Sequence, residues 1–202
     1  MSMKESQRLL LHTCCAPCAI YPYEIIKDTD YDLTLFFYNP NIHPEGEYLR
    51  RKAVLEEFAA KNSIPLLIPS TRMNSLTSKE REELWRNTPD EKRCGMCYEA
   101  RLGAVAEYAS NNNYDAFSTT LLVSIYQDHE KIVTISKKYA KKYGIEFFYH
   151  DFREGFRAGQ RKAREAGMYR QKYCGCIVSL DKSPFREKVL FSHRNGYQLS
   201  ES

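Results

Sequence analysis

The chain has 202 residues, is 43% hydrophobic, and carries 30 Lys and Arg against 26 Asp and Glu for a formal charge of +4. That length suits a single domain, expected over residues 1–202, that buries its core without disulfide staples, and so mild a charge leaves any nucleic-acid surface to be read from where the basic residues fall. The apolar run near the start, residues 9–11, is far too short for a signal peptide or a membrane span, so a soluble cytoplasmic protein with no membrane partner is expected.

Residues 8–13 read as a first strand running straight into Cys14-Cys15-Ala16-Pro17-Cys18, with a helix expected over residues 17–27. Residues 31–38 (YDLTLFFY) form the near-continuous apolar run of a strand covered on both faces, ending in the turn Asn39-Pro40-Asn41. Residues 47–61 place Leu49, Ala53, Val54, Phe58 and Ala59 at helical spacing, and residues 64–69 supply a third short strand. Residues 77–93 are charged, contain the single tryptophan Trp85, and read as a helical excursion that delivers Cys94. A helix follows over 98–111, a strand over 117–123, a helix over 128–143 closing on Gly144, and a strand over 145–150.

This alternation predicts an α/β fold with a doubly wound, mainly parallel sheet. Such sheets bind ligands outside the carboxyl ends of their strands. Polar groups gather there: Cys14 and Cys15 after the first strand, Asn39 and Asn41 after the second, Ser124 and Gln127 after the fourth, Asp151 and Arg153 after the fifth.

All seven cysteines fall in three tight groups: Cys14, Cys15 and Cys18; Cys94 and Cys97; Cys174 and Cys176. Thiolates are soft ligands for iron-sulfur clusters, zinc or copper(I), and in a reducing compartment such groups point to ligation or catalytic redox rather than structural disulfides. Cys94-Gly95-Met96-Cys97 lets two thiolates reach one metal or cluster from a turn opening a helix, a spacing that does not choose between zinc and iron-sulfur. Adjacent Cys14 and Cys15 should diverge, which suits separate corners of a 4Fe-4S cube better than one tetrahedral zinc. Cys15-Ala16-Pro17-Cys18 also has the form of a thioredoxin-like dithiol, but that reading leaves Cys14, Cys94 and Cys97 unexplained; in the cluster reading Cys18 is a packing residue. Cys174-Gly175-Cys176 can close only a strained, easily reduced ring, so it reads as a two-electron store, or else as a pair of ligands for a second metal with a carboxylate such as Asp151.

Between residues 153 and 172 stand Arg153, Arg157, Arg161, Lys162, Arg164, Arg170 and Lys172 against only Glu154 and Glu165. The arginines at 153, 157, 161 and 164 would share one helical face, and Tyr169 and Tyr173 interleave with Arg170 and Gln171, a combination suited to phosphates and a splayed-out RNA base.

The segments LLLHTCCAPC, FFYNPNIHP with EYLRR, CGMC with EARL, FSTTLLVS with YQDH, FFYHDFR and YRQKYCGC resemble, over about residues 9–180, the cobalamin-independent epoxyqueuosine reductases. The resemblance implies reduction of an epoxycyclopentane to a cyclopentene in the anticodon loop of a tRNA carrying epoxyqueuosine, with an external electron donor. It implies a 4Fe-4S cluster on Cys14, Cys15, Cys94 and Cys97, and a redox-active Cys174 and Cys176 or a second iron held by them near Asp151. Substrate contacts are expected, on the strand-end and basic-face patterns above, from Asn39, Asn41, Arg153, Arg157, Arg161, Tyr169, Arg170, Gln171 and Tyr173. The implied fold is similar to the ATP-pyrophosphatase or adenine-nucleotide hydrolase-like sheets, with the metal site at the strands' carboxyl ends. The usual Ser-Gly-Gly phosphate loop is replaced here by residues 12–18, which argues against ATP use. Two rival readings stand beside it, a zinc-stabilised RNA-binding module and a thioredoxin-like dithiol oxidoreductase.

Overall fold

The structure, a computed structural model, describes residues 6–69 and 76–194. Five strands, β1 (Gln7–His12), β2 (Tyr31–Phe36), β3 (Leu66–Leu67), β4 (Ala116–Thr119) and β5 (Glu146–Phe147), form one sheet in the order β3-β2-β1-β4-β5, every pair parallel. β1 lies at the centre because Leu9, Leu10 and Leu11 are apolar without alternation, and all three are fully buried. Leu9, Leu11 and Leu35 pack to one face, while Leu10, Phe36 and Phe117 pack to the other, against Val105, Ala106 and Ala109.

Helices α1 (Ala16–Ile26), α2 (Glu45–Lys61), α3 (Ser78–Asn87), α4 (Asp90–Asn111), α5 (His129–Tyr143), α6 (Phe156–Glu165), α7 (Ile177–Asp181) and α8 (Arg186–Arg194) complete the chain. α5 ends as the sequence foretold: Asp128 caps its start by accepting from the Lys131 amide at 3.0 Å, and Gly144 takes the left-handed φ of 63° at its end. Among the described residues no helix is long and apolar enough to cross a membrane.

Three expectations shift. The segment 77–111 is two helices split at Pro89, which lacks an amide to continue α3 and holds Thr88 in an extended conformation. Helix α4 therefore begins at Asp90, and Cys94 and Cys97 lie within it, three residues apart on one face, rather than in a turn before it. Strand β4 stops at Thr119, whose hydroxyl accepts from the Leu121 amide at 3.1 Å and starts a 3-10 turn over Thr120–Val123. A second 3-10 turn, Phe152–Gly155, precedes α6, so Arg153 does not share a helical face with Arg157, Arg161 and Arg164.

Helix α6 lies directly on α1. A Cβ at Gly155 would fall 2.0 Å from Cγ of Tyr21, and one at Gly159 would fall 3.5 Å from the Pro17 carbonyl oxygen. Only hydrogen fits at Gly155. Gly155→Ala should therefore lower stability by about 1–3 kcal/mol, the usual cost of overpacking, read as a reduced urea midpoint at unchanged m-value; an unchanged midpoint would show that the Tyr21 ring moves aside freely.

Candidate metal centre

The strand order reverses between β1 and β4, and in doubly wound sheets the crevice opens at that reversal. The first cysteine group sits there. His12, the last residue of β1, is fully buried; its Nδ1 lies 2.8 Å from the Thr119 hydroxyl and its Nε2 lies 3.2 Å from the Tyr38 carbonyl, which can only accept. Burial pushes the His12 imidazole down to about 3, so it is neutral and ties together the ends of β1, β2 and β4. Two residues on, the Cys14 amide donates to the Thr120 hydroxyl at 3.1 Å.

The chain turns from β1 into α1 across Cys14 and Cys15, so the alternation that sends neighbouring strand side chains apart no longer applies. Their sulfurs lie 3.7 Å apart, and Cys18, one turn into α1, brings its sulfur 2.8 Å from that of Cys15. All three sulfurs lie within 4.8 Å of one another, a group able to hold a metal. The expected divergence of Cys14 and Cys15 is thus corrected, and so is the reading of Cys18 as mere packing. Hydrogen bonds from Cys15 and Cys18 hold Cys14 well below the ordinary thiol range, while burial raises Cys15 and the bond to Cys14 raises Cys18. Cys14 is the natural thiolate of the three, at the N-terminus of a helix whose dipole favours negative charge.

Cys14, Cys18, Cys94, Cys97, Cys174 and Cys176 all line one cavity of about 690 Å³. Cys15 lies just behind Cys18. Five cationic side chains, Arg51, Arg93, Arg101, Arg170 and Lys172, share the walls, and among the described residues no carboxylate does. Burial pushes Cys97 up to about 11, opposed by the neighbouring Arg101 guanidinium. Three buried polar atoms of the walls, Asn41 Oδ1, Gln127 Oε1 and Trp85 Nε1, have no protein partner.

Cys174 and Cys176 are free thiols with sulfurs 3.9 Å apart. Hydrogen bonding from Cys176 and from the Ser179 hydroxyl, 3.0 Å away, brings Cys174 down to about 5, and Cys176 is raised in turn. Their loop is held by residues that sequence reasoning passed over. Arg51 donates from Nη1 to the Cys174 carbonyl at 3.1 Å and from Nη2 to the Tyr173 carbonyl at 3.0 Å. Its Nε pairs with buried Glu47 at 2.7 Å, and Glu47 also accepts from the Tyr169 hydroxyl at 2.8 Å. The His43 amide donates to the Gly175 carbonyl at 2.9 Å, and the Tyr173 hydroxyl donates to the His43 carbonyl. Gly175 has a φ of 125°, and a Cβ there would lie 3.0 Å from Asn41 and Ile42 atoms. The EYLRR segment held the signal, a Glu and an Arg four apart on one helical face, but nothing in the pattern says that both are buried.

Of the other residues singled out from sequence, Asn41, Ser124, Gln127, Arg170 and Gln171 reach the cavity, and the Gln171 amide lies 3.1 Å from the Cys15 sulfur. Asn39 is buried behind it, donating to the Thr13 carbonyl at 2.9 Å. Tyr169 and Tyr173 serve the clamp described above, with the Arg50 guanidinium 3.5 Å over the Tyr169 ring. Arg157 and Arg161 are exposed on α6. Asp151 does not line the cavity: Arg153 donates to it from Nε at 2.8 Å and Nη2 at 2.5 Å, and holds it down to about 2.

Fold and site define a doubly wound α/β protein with a thiol group fit for metal at its switch point. Residues 9–182 match the family described as Epoxyqueuosine reductase QueH, and the chain belongs to that family. The epoxyqueuosine reductase QueH of Dehalococcoides mccartyi is 33% identical over 175 residues, covering 85% of this chain and 92% of the relative. That of Thermotoga maritima is 34% identical over 181 residues, covering 85% and 90%. Among solved structures, a U34-tRNA thiolase of Methanococcus maripaludis with its 4Fe-4S cluster aligns at a TM-score of 0.45 and 8% identity, over 81% of this chain and 68% of that one. A likeness that loose carries no argument about chemistry.

Two outcomes follow from the clamp. Glu47→Gln leaves Arg51 buried without its carboxylate, so unfolding free energy should fall by about 3–5 kcal/mol; an unchanged denaturation midpoint would show the pair contributes nothing. In metal-free protein, iodoacetamide labelling of Cys174, whose thiol sits at about 5, should reach its plateau near pH 6. A rate still climbing at pH 8 would mark an ordinary thiol.

Proposed function

We propose that this cavity carries the reductase activity of the family, the two-electron reduction of epoxyqueuosine to queuosine in a tRNA anticodon loop. The chain is an oxidoreductase. The observation that carries the reading is the convergence of six thiols from three separate sequence groups on one carboxylate-free, cation-lined cavity.

The reaction removes an epoxide oxygen as water and leaves an alkene, which takes two electrons and two protons. A dithiol closing to a disulfide releases two of each. Cys174 and Cys176 therefore balance the step: the two carbon-oxygen bonds break, an S–S bond forms, and water leaves. With Cys174 already the thiolate, the pair supplies two electrons and the one proton on Cys176 Sγ, whose acidity is suppressed by its partner, and the second proton comes from solvent water. Arg51 and Gly175 keep the two sulfurs at the cavity wall while an external donor restores the dithiol.

Cys14, Cys15, Cys94 and Cys97 hold a 4Fe-4S cluster in this reading, with Cys18 as a further sulfur of the same group. Zinc is also commonly held by grouped thiols but has no redox chemistry, and the reaction is a reduction. When bound, the cluster supplies electrons one at a time. The alternative use of Cys174 and Cys176, as ligands of a second iron with Asp151, is less favoured because Arg153 already occupies the Asp151 carboxylate.

Arg170, Lys172 and Gln171 at the wall meet the modified nucleotide, and the free acceptors of Asn41 and Gln127 suit substrate hydroxyls. Arg157 and Arg161 take flanking phosphates, Arg153 stands beside them on Asp151, and Asn39, Tyr169 and Tyr173 position the loops beneath. A tRNA substrate and a reducing dithiol both suit a cytoplasmic protein.

Anaerobic reconstitution of alanine variants tests the assignment. Cys94→Ala should lose iron and sulfide, and a Cys174→Ser, Cys176→Ser double variant should keep the cluster spectrum and lose epoxide reduction. Full cluster in Cys94→Ala overturns the ligand set, retained turnover in the double variant overturns the dithiol, and loss of a single iron there favours the second-metal version.

A further inference from the structure

Four arginines among the described residues are buried: Arg51 at 2% exposure, Arg81 at 6%, Arg93 at 9% and Arg101 at 4%. Three of them have a carboxylate. Arg51 meets Glu47 at 2.7 Å, Arg81 meets Glu45 at 3.9 Å, and Arg93 meets Asp90 at 2.5 Å. Arg101 has none among the described residues. Its Nε donates to the Cys97 carbonyl one turn back at 3.1 Å, and its guanidinium stands 5.8 Å from the Tyr98 ring centre, which leaves its charge uncompensated.

An unpaired buried guanidinium is among the most costly things a fold can contain, so it marks a place where an anion is expected. The position says which anion. Arg101 follows Cys97 by four residues on α4 and therefore shares its face, and it lines the cysteine cavity. Its charge bears on Cys97 and Cys94 on one side and on His12, beneath the Cys14 group, on the other. It thus lies on the cavity wall beside the α4 thiols, at 4% exposure, whereas Arg170 and Lys172 are less buried and better placed for substrate.

We propose that Arg101 is the fixed counter-charge of the cysteine-held metal centre and sets how readily that centre accepts an electron. The inference rests on the cluster reading given above and goes beyond it. A centre bound by four thiolates is anionic, and each electron added makes it more so. A buried cation at fixed distance therefore stabilises the reduced state more than the oxidised one, and raises the reduction potential. Arg suits the task because its guanidinium is charged at every working pH, and a lysine in its place would be held protonated by the anionic centre beside it.

The test is a redox titration of reconstituted holoprotein, followed by its visible and electron paramagnetic resonance spectra, for wild type, Arg101→Met and Arg101→Lys. Iron and sulfide are assayed on each. Arg101→Met should keep its cluster while its one-electron reduction constant falls at least tenfold, a 59 mV drop in midpoint, and Arg101→Lys should recover most of that loss. A full cluster at unchanged potential in Arg101→Met overturns the proposal. Should Arg101→Met fail to load, Arg101→Lys decides: a midpoint near that of wild type supports the counter-charge, and a full tenfold loss despite the retained charge overturns it. Wild-type protein that takes up no iron and sulfide sinks the cluster reading itself, an outcome visible before any potential is measured.

Discussion

A neutral, fully buried histidine at the end of the central strand fixes where everything else at the site can be. His12 joins the Thr119 hydroxyl and the Tyr38 carbonyl, so the carboxyl ends of β1, β2 and β4 are held at one level. Because the strand order reverses between β1 and β4, that level is the floor of the crevice. A charged imidazole could not accept the Thr119 hydroxyl and would bury a charge with no carboxylate beside it. Desolvation settles the matter in favour of the neutral ring, and Cys14 then follows at a fixed height above the sheet.

The other two cysteine groups reach the crevice by different means. Cys94 and Cys97 come on α4, a helix anchored to the sheet through Val105, Ala106 and Ala109, so their approach is set by ordinary core packing. Cys174 and Cys176 come on an irregular loop, whose backbone has no sheet or helix to satisfy it. Arg51 and His43 take that role, and the apolar cluster of Trp85, Tyr173, Ile177, Leu180 and Val189 covers the loop from outside. A buried ion pair is seldom a source of stability, but an arginine whose three nitrogens are divided between Glu47 and two carbonyls of the dithiol loop is a device for position.

What could be read from the sequence divides along this line. The alternation of elements, the apolar centre of β1 and the Asp128 and Gly144 boundaries of α5 are local signals, and the first of them puts Cys14 and Cys15 at the carboxyl end of a strand, where the structure has them. Pro89 is a local signal too, since it ends α3 and lets α4 begin at Asp90 with Cys94 and Cys97 inside it. The pairing of Arg51 with carbonyls 122 and 123 residues away, and the capture of Asp151 by Arg153, depend on tertiary burial and on which of several nearby cations wins a carboxylate. Spacing carries no record of either. Tyr169 and Tyr173 look in sequence like free aromatics among basic residues, and only their hydroxyl partners reveal them as supports.

The charge balance of the cavity links these pieces. Seven thiols can become strongly anionic when metallated, and a carboxylate on the wall would oppose that charge. Among the described lining residues there is none, while five cations stand there. Two of the buried ones, Arg51 and Arg93, are already neutralised by Glu47 and Asp90 and serve mainly to hold loops. The charge left over lies with buried Arg101, four residues from Cys97 on α4, and with the less buried Arg170 and Lys172. On the proposed reading, Arg170 and Lys172 meet the anionic polymer and Arg101 the anionic centre, so neither role competes for the residues of the other.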